Sequence, residues 1–225
     1  MYALVSQRLN EGFGAGGPTF YPTVEIVAAL NEAQRVFVLL TLGLETTVPW
    51  VVPAATTFFH MLVTFPDWVV PLRIATTAGA KVRPGRFSEL WSLDSQWPQS
   101  PGAPNRYVHA GADLLAVYGQ PAAPVTLNVT YARCPAPLVL DADVPEIPAE
   151  YHPELEKYAR YRLRQVEGGE PFAAALPLLA EFLDAAGKYA DYVRARNKGS
   201  SYDAQPFELA SFDRSRLIGM SKQKK

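Results

Sequence analysis

The stretch YPTVEIVAALNEAQRVFVLLTLGLE, Tyr21–Glu45, decides the reading of the fold. Ile26, Leu30, Ala33, Phe37, Leu40 and Leu44 recur at alternating steps of four and three, which gathers them into one apolar stripe on a helix. Pro22 suits the first helical turn, where a missing N–H costs nothing. Gly43 marks a weak point near the far end. Val36, Val38 and Leu39 fall off the stripe, so the C-terminal half is apolar around most of its circumference. A helix of that kind is central to its domain or covered by a partner subunit.

On the N-terminal side, Met1–Asn10 reads as a short helix with Leu4, Val5 and Leu9 able to reach a core. The cluster GFGAGGP (Gly12–Pro18) then breaks regular structure. Gly12, Gly14 and Gly17 fit the string GxGxxG, but the dinucleotide fingerprint needs a buried strand before it and a helix opening directly at the last glycine. Here the loop PTFYP intervenes, so a flexible linker is the better reading.

Beyond Glu45 the pattern changes. Val48, Trp50 and Val52 alternate across Pro49, while Thr56–Phe65 and Trp68–Thr77 are rich in β-branched and aromatic residues. These read as strands, with Pro66-Asp67 a turn between the last two. Pro71 places its strand at an edge or a bulge. Arg86–Trp91 has room for a short helix. Arg106–Ala110, Asp113–Tyr118 and Val125–Tyr131 read as further strands; in the last, Leu127, Val129 and Tyr131 alternate with Thr126, Asn128 and Thr130, as a sheet with one wet face requires. Cys134–Pro148 is a proline-studded acidic connector.

Tyr151–Val166 returns to helical spacing, with Leu155, Ala159, Leu163 and Val166 on one face and Gly168-Gly169 to end it. A second helix runs from about Pro171 to Arg196, and Pro177 should start it late or bend it. The expected fold is therefore α+β: an antiparallel helical bundle with an inserted antiparallel β domain and an extended C-terminal arm. The segments are residues 1–46 (first helices), 47–140 (β insertion), 149–198 (helical hairpin) and 199–225 (arm).

The arm follows no period, yet Tyr202, Phe207, Leu209, Phe212, Leu217 and Ile218 make it too apolar for a solubilising tail. Spaced aromatic anchors on an otherwise polar chain suit a segment that orders on a partner. The charge is uneven as well. From Arg194 to Lys225, eight Lys or Arg face three acids, leaving −6 for the preceding residues of a chain whose net charge is −1. Arg194, Arg196 and Lys198 are candidate phosphate contacts, but no interleaved aromatic groups suggest base stacking.

At 225 residues, 48% hydrophobic and 19% charged, the chain can bury a substantial core. Its near-neutral charge does not suit a generally basic nucleic-acid binder. A single cysteine, Cys134, cannot form an internal disulfide, and the start has no basic-then-apolar leader, so a reducing cytoplasm is the expected site of synthesis. No apolar run reaches the length of a membrane span, so no membrane is expected among the partners. His60, His109 and His152 are scattered and lack metal-ligand spacing, and Cys134 has no helix N-terminus to activate it. Asp141, Asp143, Glu146 and Glu150 lack the glycine and spacing of a calcium loop. No catalytic constellation and no cofactor site rises above background, so an enzyme is not expected.

Three passages together resemble the head-to-tail adaptor (connector) proteins of tailed bacteriophages. The first is Tyr21 with IVAALNEAQR (Ile26–Arg35). The second is DWVVPLRI (Asp67–Ile74), followed by Tyr107, LLAVY (Leu114–Tyr118) and TYARCPA (Thr130–Ala136). The third is DVPEIPAEYHPELEKYA (Asp143–Ala159). At Gly119-Gln120 the chain departs from the family pattern, which has a proline turn there. The resemblance implies a structural virion protein at the neck of the capsid, assembled in the host cytoplasm. It further implies a homo-oligomeric, dodecameric ring that joins the portal to downstream tail or stopper proteins and lines a conduit for DNA passing without sequence specificity. A DNA-binding protein using the basic tail, or a tail-completion or stopper ring subunit, are the alternatives.

Overall fold

A computed structural model describes residues 21–139, 143–167, 169–198, 202–204 and 206. The chain divides into two units. One comprises Met1–Gly43, Pro135–Ala195 and Pro206–Lys225; the other comprises Leu44–Cys134 and Arg196–Gln205.

The first unit is helical. Helix α1 (Thr23–Thr41) buries Ile26, Leu30, Ala33 and Phe37 of the expected stripe together with Ala29 and Val38, while Leu40 is half-buried and Leu44 lies beyond the helix end. It stops at Leu42, which still gives its N–H to the Val38 carbonyl at 2.7 Å and then turns the chain out of the helix through a left-handed backbone (φ 48°). Gly43 therefore does not cap the helix. It is there because the Tyr189 ring lies where a Cβ would project.

Two further helices of this unit, here α4 (His152–Glu167) and α5 (Gly169–Asn197), lie beyond the sheet segment in the chain. Helix α5 runs through Pro177, which removes one helical hydrogen bond without ending the helix. Tyr21, Ile26, Ala29 and Leu30 pack with Ala159 and Leu163 of α4 and Leu138 of the connector. Tyr158 donates to Glu32 Oε1 and Arg162 Nε to Glu32 Oε2, both at 2.9 Å, which ties α4 to α1 a second time.

The antiparallel helical bundle expected from the sequence is not evident. Among the described residues, only α1 and α4 approach each other closely along their lengths. Helix α5 reaches them through large rings: Phe182 and Tyr189 stand 6.1 Å and 5.5 Å from Phe37, and Phe182 lies 4.8 Å from Tyr158. Part of α1 is covered by extended chain instead of helix. Asn31 donates to the Leu138 carbonyl at 2.9 Å and accepts from its N–H at 2.7 Å, while Gln34 donates to the Ala136 carbonyl at 3.0 Å. The connector acids also close their own loop, since Glu146 accepts from the Ala136 N–H and Asp143 from that of Val139.

The second unit is built on a seven-stranded sheet: β1 (Glu45–Val52), β2 (Phe58–His60), β3 (Trp68–Thr76), β4 (Lys81–Pro84), β5 (Arg106–Ala110), β6 (Leu114–Tyr118) and β7 (Val125–Arg133). Their spatial order is β1-β7-β3-β4-β5-β6-β2. Short helices α2 (Met61–Thr64) and α3 (Phe87–Leu93) interrupt the strands. The expected antiparallel β domain is corrected to a mixed one, because β4 and β5 run parallel, Arg83 opposite Arg106. The α+β class stands.

The hydrophobic side of the sheet gathers Trp50, Val52, Trp68, Ile74, Tyr107, Leu115, Leu127, Val129 and Tyr131. The alternation in β7 holds: Leu127, Val129 and Tyr131 are buried and the residues between them are half-buried. Pro49 sits on edge strand β1. Pro71 does not lie at an edge but beside a bulge, where the register between β3 and β7 slips from Pro71 to Arg73. Thr56–Phe65, expected as one strand, is instead the short β2 followed directly by α2. Gly119, at φ 94° and with the Ala103 carbonyl directly over it, has no room for a side chain.

Candidate functional site

The C-terminal segment was expected to carry the docking and phosphate contacts, and its described part is bound to the body. In the helical unit, Arg194 closes the last turns of α5 by donating to Asp191 Oδ1 at 2.6 Å and reaches the Pro206 carbonyl at 3.2 Å. In the sheet unit, Arg196 donates to Asn197 Oδ1 at 3.1 Å, and its Nη2 lies 3.4 Å from Glu45 Oε2, an ion pair without hydrogen-bond alignment. Lys198 is exposed. Two of the three candidate phosphate-contact side chains are thus engaged within the molecule.

Tyr202 is half-buried, and burial, reinforced by the Glu45 carboxylate beside it, pushes its hydroxyl pKa up. Of the remaining expected anchors, Phe207, Leu209, Phe212, Leu217 and Ile218 lie outside the described residues.

Asp203 was not singled out by the sequence, yet it is the best-fixed residue of the segment. Its N–H donates to the Leu72 carbonyl at 2.6 Å. Its carboxylate pairs with Lys81 Nζ at 2.6 Å and accepts from the Tyr107 hydroxyl at 2.8 Å, and its side chain is 11% exposed. Strands β3, β4 and β5 supply one partner each. Burial, then the neighbouring Asp203 carboxylate, raises the Tyr107 pKa far above the ordinary phenol range, so the ring stays a donor. Lone carboxylates in loops carry no sequence signal for such a role. The only hint was position: an acid next to Tyr202 in a segment otherwise rich in basic residues.

The three histidines do not converge. His60 lies 3.1 Å from Asp113 on the exposed edge, and the His152 ring meets the Ile147 carbonyl at 2.8 Å. His109 is half-buried, and desolvation lowers its pKa. Among the described residues, no group of three or more His, Cys, Asp or Glu side chains could hold a metal ion, and no helix is long and apolar enough to cross a membrane.

Some large apolar side chains are exposed. In the helical unit, Val24, Leu39, Val166 and Tyr192 face outward. In the sheet unit, Phe58 and Trp91 are exposed and both meet the buried Trp97 edge to face, at 5.6 Å and 6.1 Å. The family described as SU10 adaptor protein matches residues 2–205, and the chain belongs to it: it is a structural adaptor protein of a tailed bacteriophage, a component of the virion. No curated protein matches the chain.

Proposed function

We propose that this adaptor joins the portal to the tail as the subunit of a closed, dodecameric ring that lines the DNA conduit, and that residues beyond Gly199 dock on the portal. The observation that carries this reading is the family match over residues 2–205. The exposed apolar side chains on α1, α4 and α5 support it, since a ring needs a heterologous interface that closes by rotation. The charge of −6 on the body suits a conduit along which DNA slides without sticking. A DNA-binding reading gains nothing from the structure, because Arg194 and Arg196 already hold Asp191, Pro206, Asn197 and Glu45.

The test is assembly with the portal encoded in the same genome, followed by electron microscopy and size-exclusion chromatography. The chain alone should run as a monomer or weak oligomer and should form rings on the portal. Phe207→Ala combined with Phe212→Ala should weaken attachment at least tenfold and leave thermal unfolding unchanged. A chain that never joins the portal defeats the reading.

A further inference from the structure

The face of the sheet that turns away from its core carries a row of like charges. The Thr47 and Thr130 hydroxyls meet there, and Arg73 of β3 stands opposite Thr130 on the same side. Ile74 and Val82 face each other and both enter the core, so their neighbours Arg73 and Arg83 point outward, and the same register brings the two arginines level. Arg83 in turn stands opposite Arg106 of β5, and Arg106 opposite Tyr118 of β6. Across six strands the row reads Thr47, Thr130, Arg73, Arg83, Arg106, Tyr118, and every side chain in it has an N–H or O–H to donate.

Side chains opposite one another start about 5 Å apart, and like charges so placed destabilise a sheet. Only Arg106 is relieved, by Glu89 of α3. Arg83 is exposed, and among the described residues no acid pairs with it. Arg73 is half-buried beside Tyr202, and its Nε has no acceptor. Donors aligned at a cost to the fold are arranged for an anionic acceptor that the chain does not supply. The charge balance sets this face apart as well. Within residues 1–193, which sum to −6, segment 44–134 holds six Lys or Arg against five acids, so the negative charge lies outside it.

We propose that Arg73 and Arg83 form a phosphate-binding strip that touches the backbone of duplex DNA. This deepens the conduit reading above and rests on it for the source of the DNA. Guanidinium groups match phosphate oxygens, and hydroxyls of threonine and tyrosine join such contacts, none of which reads sequence. Two phosphate contacts are weak, so they suit DNA that slides past and not a DNA-binding protein that holds it.

The experiment follows binding of the full chain to two unrelated short duplexes by fluorescence anisotropy as salt is raised. Arg83→Gln, Arg73→Gln and an Arg194→Gln/Arg196→Gln control are measured beside wild type, with thermal unfolding of each. The two duplexes should bind alike, and affinity should fall about twelvefold between 50 and 200 mM salt, the slope for two neutralised phosphates. Arg83→Gln should bind at least threefold more weakly, its loss over the same range shrinking to about three- to fourfold. The control should match wild type, since Arg194 and Arg196 are engaged within the molecule. If Arg73→Gln lowers stability, Arg83→Gln at its exposed position decides.

Wild-type affinity and salt dependence in Arg83→Gln overturn the strip. Displacement of the duplex by polyglutamate at equal charge assigns the row to an acidic polypeptide and overturns DNA as its ligand. Portal assembly is scored separately. A chain that joins the portal but fails these tests keeps the adaptor reading and loses the strip, whereas one that binds DNA but never joins the portal loses the conduit.

Discussion

Phe37 and Trp50 are both buried aromatic residues, but different forces hold them. Trp50 belongs to a strand in which every residue from Glu45 to Val52 stands opposite a residue of β7, so backbone bonds fix its position before its ring packs on Phe59 at 4.8 Å. Phe37 is surrounded by rings from the rest of the helical unit: Tyr151 at 5.3 Å, Tyr189 at 5.5 Å and Phe182 at 6.1 Å. A helix satisfies its hydrogen bonds internally, so side-chain packing, with these rings at its centre, locates α5 against α1. The sheet unit should tolerate truncation of one side chain better than the helical unit does.

The largest effect that separates the two is expected at Phe37. Phe37→Ala removes the ring shared by three others and should destabilise the helical unit by about 3–5 kcal/mol. Native-state hydrogen exchange of α1 and α5 amides reads this directly. A loss below about 1 kcal/mol would show that the rings are not what locates α5, and the contrast with the sheet would collapse.

Gly43→Ala sharpens the same point from the opposite direction, by adding an atom. The new Cβ drives into the Tyr189 ring, which is already packed between Phe37 and Tyr151, so the cost should be about 1–3 kcal/mol. In a Tyr189→Ala background the same substitution should cost almost nothing, since the obstacle has gone. Additive effects in this double-mutant cycle would contradict the close approach.

These two residues also show what could be read from sequence. The period of Ile26, Leu30, Ala33 and Phe37 defined the first helix, because burial of a helical face imposes spacing on the chain. The alternation of β7 was legible for the same reason. How the helices meet was not, since ring-to-ring contacts such as Phe37 with Tyr189 leave no periodic trace. The polar residues Asn31 and Gln34 carry no sequence signal of a partner, yet they hold the connector. The same limit hid the parallel pairing of β4 with β5 and the seat of Asp203. Each depends on which distant segment supplies a hydrogen bond, as Asp203 does to the Leu72 carbonyl. Of the expected docking residues, only Tyr202 falls within the described chain, where it sits beside Glu45.

The smallest effect is expected where the sheet is most redundant. The Thr47 and Thr130 hydroxyls face each other across β1 and β7 at 2.8 Å on the exposed side. Thr47→Val keeps the β-branched shape and deletes only this bond. A cross-strand pair is worth roughly 0.2–1 kcal/mol, and the ladder on either side continues from Glu45↔Ala132 to Val52↔Val125. The loss should therefore stay under about 1 kcal/mol, with the exchange of neighbouring β7 amides slowed or hastened by no more than fivefold. A larger loss would mean that β1, an edge strand carrying Pro49, depends on side chains as α5 does. The line drawn between the two units would then have to be moved to run inside the sheet.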